Sequence, residues 1–218
     1  MAYRLVCFDL DGTLVNNEKR SSWQVFHDHF GIDKNRRETA RLKYLNGDIT
    51  YPEWAHHDIG LWRERKVTKE MFLKALDENS LISGASEVLN ELKSRGLKLA
   101  VISGSLSIVL ERFIPDYKKL FDDIYLSWIE FDDAGFISKA KPTEYDMEGK
   151  AEALRIIAGK EGIPLSECVF VGDYVNDMMV MQEAGLSIAF NCGHDEVKRI
   201  ADVVVEKKDL REILRFII

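Results

Sequence analysis

A three-layer α/β fold is what this chain of 218 residues predicts: a mainly parallel sheet covered by helices on both faces, with a helical block inserted after the first strand. Three observations predict it. Beyond residue 81, short apolar runs alternate with segments of helical spacing, the pattern of βα units. Those runs are nearly continuous in Val, Ile, Leu and Phe, as strands buried on both faces require. Between about Asn16 and Ser80, β-type alternation is nearly absent and apolar residues recur at helical intervals.

The elements follow in order. Arg4–Leu10 is short, apolar and rich in β formers, so it reads as a buried strand. It gives way to Asp9-Leu10-Asp11-Gly12-Thr13. In the helical block, Trp23, Phe26 and Phe30 share a face, as do Leu42 and Leu45, then Trp54, Ile59 and Trp62, then Phe72 and Leu76. Next come a helix over Ala85–Arg95 stopped by Gly96, a strand over Leu97–Ile102, and a helix over Leu106–Ile114 ended by Pro115. Asp122–Leu126 reads as a short strand and Trp128–Lys139 as a hairpin around Asp132–Gly135. The remainder alternates: helix Gly149–Gly162, strand Cys168–Val171, helix Val175–Ala184, strand Leu186–Phe190, helix Asp195–Ala201, strand Val203–Val205 and a last helix, Asp209–Ile217. The division this implies is a core of residues 1–15 and 81–218 with a helical insertion at 16–80.

A hydrophobic fraction of 46% suffices for a packed core, which argues against disorder. The net charge of −7 disfavours nucleic acid and anionic membranes as partners, and an anionic ligand then needs local cations. Cys7, Cys168 and Cys192 form neither a CxxC pair nor a disulfide framework, so a reducing, cytoplasmic setting is expected. Nothing in the sequence separates a monomer from a homodimer.

Open parallel sheets bind ligands at the carboxyl edge, and four polar clusters fall just past strand ends. They are Asp9 and Asp11 with Gly12 and Thr13, then Ser103-Gly104-Ser105, then Lys150 opening a helix, then Gly172-Asp173-Tyr174-Val175-Asn176-Asp177. Any one of these acids alone reads as a helix N-cap. Four of them converging in one cleft do not, because two like charges about 4 Å apart repel by about 4 kcal/mol at an effective dielectric of about 20. Such a cluster calls for a cation, and all-oxygen donors favour Mg²⁺. Beside it, a carboxylate can attack phosphorus, and a second acid two residues on can protonate the leaving oxygen and later deprotonate water. Ser103 with its following N–H groups, and Lys150, suit the nonbridging oxygens.

These residues carry a resemblance. DLDGT (Asp9–Thr13), the VISGS serine (Ser103), Lys150 and GDYVND (Gly172–Asp177) resemble, in order, the four motifs of the haloacid dehalogenase superfamily. DLDGTLVNNE, GKAEAL, AGLSIAF and KKDLREIL look most like its phosphoserine phosphatase branch. The resemblance implies a Rossmann-like core with a mobile C1-type cap and an Mg²⁺-dependent phosphomonoester hydrolase acting on a small phosphorylated metabolite through an aspartyl-phosphate. It implies Asp9 as nucleophile and Asp11 as general acid/base. The metal would be held by Asp9, Asp173 and the Asp11 carbonyl, with Asp177 on metal-bound water. Phosphate would meet Ser103, Gly104, Lys150 and Asn176. Glu18 matches the branch's glutamate that meets the amino acid. Asp58 stands where the branch places an arginine for the substrate carboxylate, which disfavours phosphoserine itself.

Two further readings of the same residues remain. A phosphomutase or phosphotransferase would use another hydroxyl as acceptor. A receiver-like phospho-acceptor module would share the acids, Ser and Lys, but it needs no inserted cap and gives Asp11 no purpose.

Overall fold

The structure, a computed structural model, describes residues 2–218. The chain opens with β1 (Leu5–Phe8) and the short β2 (Val15–Asn16). Four helices follow, α1 (Ser22–His29), α2 (Lys34–Leu45), α3 (Tyr51–Glu64) and α4 (Lys69–Ala75), and β3 (Ser80–Leu81) closes this excursion. The remainder runs α5 (Ala85–Ser94), β4 (Lys98–Leu106), α6 (Ser107–Phe113), α7 (Tyr117–Leu120), β5 (Asp123–Phe131) and β6 (Ile137–Lys141). It ends with α8 (Gly149–Glu161), β7 (Cys168–Gly172), α9 (Met178–Glu183), β8 (Leu186–Phe190), α10 (Asp195–Ile200), β9 (Val203–Val205) and α11 (Leu214–Ile217).

The main sheet has the order β6-β5-β4-β1-β7-β8-β9, parallel throughout except for the antiparallel β5–β6 hairpin. The predicted α/β class is the observed one. Side chains of β1 alternate between the layers: Val6 and Phe8 enter one apolar core, Leu5 and Cys7 the other. All four are at most 1% exposed, which is why the strand reads as a continuous apolar run rather than an alternating one. From β1 the sheet grows through β4 on one side and β7 on the other, so the crevice past the end of β1 is the place where such sheets bind ligands.

The helical insertion is local chemistry followed by packing. Ser21, Asp33, Thr50 and Thr68 each cap a helix by accepting from a backbone N–H, and Thr50 with Glu53 completes a reciprocal capping box. Its core is aromatic: Phe72 meets Phe26 at 4.8 Å, Phe30 at 4.9 Å and Trp62 at 5.3 Å edge-on. Phe72 also reaches Phe131 of β5 at 5.6 Å, and Lys69 N donates to Gly135 O at 2.8 Å, so the β5–β6 hairpin supports the insertion. β2 pairs with β3, so the chain leaves and re-enters the core side by side.

Three elements depart from the sequence reading. β4 runs on through Ser103-Gly104-Ser105 to Leu106, with a register shift between Ile102 and Leu106; the polar triplet is buried strand, not loop. Asp122–Leu126 and the first arm of the hairpin are one strand, β5. The final helix is a short 3-10 turn, Leu210–Ile213, followed by α11. Among the described residues, no helix is long and apolar enough to cross a membrane.

Candidate active site

Asp9 follows β1, its N–H donating to Val171 O at 2.9 Å, which fixes it between β4 and β7. The chain then turns sharply: Gly12 sits at φ +85°, and its N–H donates to Val15 O at 2.8 Å. A side chain there would also run into the Asp173 carboxylate, so both the turn and the approach of β7 require glycine. Asp173 follows β7, and Asp177 lies in the 3-10 turn Val175–Asp177 that opens α9. Asp177 Oδ2 accepts from the N–H groups of Asp173 (3.0 Å) and Tyr174 (3.1 Å), which shapes the loop.

Asp9, Asp173 and Asp177 are buried, and each offers a carboxylate oxygen within 4.8 Å of the others, a group able to hold a metal ion. Lys150, in the first turn of α8 and 0% exposed, donates through Nζ to Asp9 Oδ1 and Asp177 Oδ1, both at 2.6 Å. Burial opposes its charge, but Asp177 and Asp9 outweigh that and hold its pKa above the ordinary lysine value. Arg20 donates to Asp173 Oδ2 at 2.8 Å and to Asn191 O at 2.8 Å. Burial, then Lys150 acting against it and Asp177 with it, leaves the Asp9 carboxyl pushed up to about 7. Asp173 is raised well above the carboxylate range by burial and then by Asp9 and Asp177. When ionised, Asp9, Asp173 and Asp177 outnumber Lys150 and Arg20, an excess of negative charge that a bound cation would offset. The donors are all oxygen, so the site fits a hard cation.

The raised Asp9 carboxyl has a thermodynamic consequence. Its folded pKa, about 7, exceeds the ordinary value of 3.8, so the metal-free fold binds a proton there that the unfolded chain releases. The ionised group therefore costs stability progressively from about pH 4 to pH 7, and fully above that. In EDTA, Asp9→Asn is expected to melt above the unsubstituted protein at pH 8, with the gap smaller at about pH 5 and closing only near about pH 4. Equal melting temperatures at both pH values would contradict this environment.

Asp11 is held differently. Its Oδ2 accepts from the backbone N–H (2.9 Å) and hydroxyl (2.8 Å) of Ser22 at the start of α1, and its Oδ1 from Asn17 Nδ2 (3.0 Å). Burial raises its pKa and the Ser22 hydrogen bonds pull it back, a balance suited to a group that both gives and takes a proton. The helical insertion therefore orients Asp11. A hollow of about 180 Å³ is lined by Asp9, Asp11, Ser103, Gly104 and Asn176, together with Arg20, Tyr174 and Asp146. A side chain at Gly104 would strike the Asp146 carboxylate and the Tyr51 hydroxyl, so this stretch of β4 must be bare backbone.

Most of the sequence candidates thus converge, with two placements that differ. Lys150 does not line the hollow; its ammonium lies between Asp9 and Asp177, so what it meets in this structure is carboxylate rather than open pocket. Glu18 is exposed and lines another hollow, with Lys19, Asp28 and Lys74. The physical reason is the turn in which Arg20 (φ +52°) donates its N–H to Asn17 O at 3.3 Å; it sends Arg20 inward and Glu18 outward. Asp58 on α3 is 5% exposed and lines an adjoining hollow of about 220 Å³ that shares Ser21, Trp23, Asp146 and Met147 with the first. Arg20, Ser22 and Asp146 were not foreseen. Ser22 had a trace, the start of a helical face at Trp23; Arg20 and Asp146 had none.

Comparison with known proteins adds three findings. A family model described as haloacid dehalogenase-like hydrolase matches residues 3–185. The phosphoserine phosphatase of Methanocaldococcus jannaschii is 31% identical over 214 residues, 98% of this chain and 97% of that protein. Two solved structures are each 30% identical over 100% of both chains: a phospho-aspartyl intermediate analogue of phosphoserine phosphatase (TM-score 0.75) and a substrate-bound phosphoserine phosphatase complex (TM-score 0.76).

Proposed function

The chain belongs to the haloacid dehalogenase-like hydrolases and is a phosphatase, and on that premise we propose that it hydrolyses a small phosphomonoester through an aspartyl-phosphate on Asp9, with Mg²⁺ as cofactor. The observation that carries this reading is the pair Asp9 and Asp11 on one hollow: Asp9 set in the carboxylate cluster, Asp11 apart from it on neutral hydrogen-bond donors.

Asp9, Asp173 and the Asp11 carbonyl would hold the cation, with Asp177 beside it. When bound, the cation neutralises the acids and draws charge from the phosphate oxygens. The rest falls to the chain's own groups. An Asp9 oxygen attacks phosphorus while the bond from phosphorus to the leaving oxygen breaks, and Asp11 gives that oxygen its proton. Asp11, now ionised, takes a proton from water as the water oxygen attacks phosphorus; the Asp9–phosphorus bond breaks and the carboxylate returns. Ser103, the backbone at Gly104 and Asn176 line the place where the nonbridging oxygens sit. Lys150 favours the ionised form of Asp9 and aims it, because its ammonium binds one Asp9 oxygen and leaves the other free.

The relatives are phosphoserine phosphatases, but a carboxylate at Asp58 repels the substrate carboxylate that an arginine would hold. Phosphoserine is therefore not the favoured substrate of this reading. Residues 16–80 act as a cap over the core of 1–15 and 81–218, hinged at the β2–β3 pair. Hydrolysis of p-nitrophenyl phosphate with Mg²⁺ and with EDTA tests the proposal: EDTA is expected to abolish turnover and added Mg²⁺ to restore it. Equal rates in the two buffers contradict it.

A further inference from the structure

The hollow beside the reacting carboxylates has a wall that phosphoryl transfer does not use. Asp58 lies buried on it, and among the described residues its only ion-pair partners within 4.0 Å are two histidines, His27 Nε2 and His57 Nδ1, each at 3.1 Å. Trp62 Nε1 donates to His27 Nδ1 at 3.1 Å, so that nitrogen is an acceptor and the ring proton sits on Nε2, facing Asp58. Burial holds the His27 pKa below its ordinary value, which keeps the ring neutral. Asp58 is thus a buried carboxylate supported by hydrogen bonds; the Arg37 guanidinium feels its charge but makes no ion pair with it within 4.0 Å.

What it faces is aromatic. Trp23, Tyr51 and Trp54 line the same hollow. Their orientations are fixed by neighbours: Trp23 stacks on Trp62 at 4.9 Å, Trp54 stacks on Tyr44 at 5.1 Å, and Tyr51 meets Trp54 edge-on at 6.0 Å. Arg37 and Arg41 also line this hollow. Arg41 is closed onto Glu38 at 3.0 and 3.2 Å, and Arg37 donates to Gln24 Oε1 at 2.8 Å. Aromatic faces with a buried carboxylate that makes no direct ion pair to lysine or arginine are the recognition chemistry of an ammonium group.

Resting on the phosphatase reading, we propose that the leaving group carries an amine cation, seated among Trp23, Tyr51 and Trp54 against Asp58, and lacks a carboxylate. The substrate class is the phosphate ester of an amino alcohol. Asp58 is its specificity-determining residue, and the amine site adjoins the phosphate site, the two hollows sharing Ser21, Trp23, Asp146 and Met147.

The test compares kcat/KM for O-phosphoethanolamine, glycerol 3-phosphate and O-phosphoserine, in the unsubstituted protein and in Asp58→Asn. The amine ester is expected to exceed each of the others by about tenfold, the factor one good cation contact supplies, and Asp58→Asn is expected to erase that ratio. Ratios within one preparation cancel any loss of folded protein. A preference for phosphoserine or glycerol 3-phosphate, or a ratio that survives in Asp58→Asn, overturns the inference while leaving the phosphatase reading intact. If no ester is hydrolysed, p-nitrophenyl phosphate included, the phosphatase reading falls. Tryptophan fluorescence with phosphocholine then decides the pocket: saturable quenching lost in Asp58→Asn supports the amine site, and no quenching ends it.

Discussion

Asp9→Asn is expected to lower kcat for p-nitrophenyl phosphate by about ten-thousandfold, because an amide cannot form the covalent intermediate and no other carboxylate occupies its place. Asp11 lies on the same hollow, but both its oxygens are occupied by Ser22 and Asn17, and Asp173 is tied to Arg20. Neither is free to substitute as nucleophile. The loss is catalytic rather than structural: the substitution removes a buried charge, so the metal-free variant stays folded at pH 8 while turnover disappears. A variant retaining a tenth of the activity would remove Asp9 from the chemistry.

The second large effect is on stability. Lys150 is the cation shared by Asp9 and Asp177, and all three groups are buried. Lys150→Met preserves much of the volume but leaves two carboxylates facing each other without their ammonium, and breaking a buried pair in this way costs about 3–5 kcal/mol. For a chain of this size that corresponds to a fall in Tm of about 10 °C, measured by thermal melting in EDTA. Activity falls with it, since Asp9 loses the charge that favours its ionised form. A melting temperature within two degrees of the unsubstituted protein would show that the cluster does not depend on Lys150 for its cohesion.

Much of this was legible in the sequence because burial on both faces of a sheet leaves a composition signature. Leu186–Phe190 and Val203–Val205 are strands over those residues. The signature fails where a strand must carry polar groups. Ser103, Gly104 and Ser105 look like a loop, yet they continue β4, since their polar groups find partners inside the fold. Gly104 O accepts from Trp23 and Ser127, Ser103 Oγ from the Ser105 N–H, and the Ser105 hydroxyl pairs with that of Ser22. The acids at the ends of β1 and β7 were legible for the opposite reason: one acid after an apolar run reads as a helix N-cap, but acids after several such runs, gathered at one sheet edge, do not.

What was not legible depends on the path of the chain. Arg20 and Glu18 lie two residues apart, and only the turn between Asn17 and Arg20 decides which faces the site. Asp146 acquires meaning by accepting from Asn176 Nδ2 at 2.9 Å, thirty positions away in the chain. Asp58 stood out as a break in a resemblance; its partner His57 is its neighbour in the chain, but His27 and the aromatic wall came only with the packing of α1 against α3.

The central claim is that phosphate is carried on Asp9 itself. Rapid quenching during turnover, followed by borohydride reduction and peptide mass spectrometry, tests it directly, because an acyl phosphate is reduced to the alcohol and a free carboxylate is not. The account predicts homoserine at position 9, dependent on substrate and on Mg²⁺. Reduction at any other acid of the cluster, or an unmodified Asp9 under conditions of steady turnover, would contradict it.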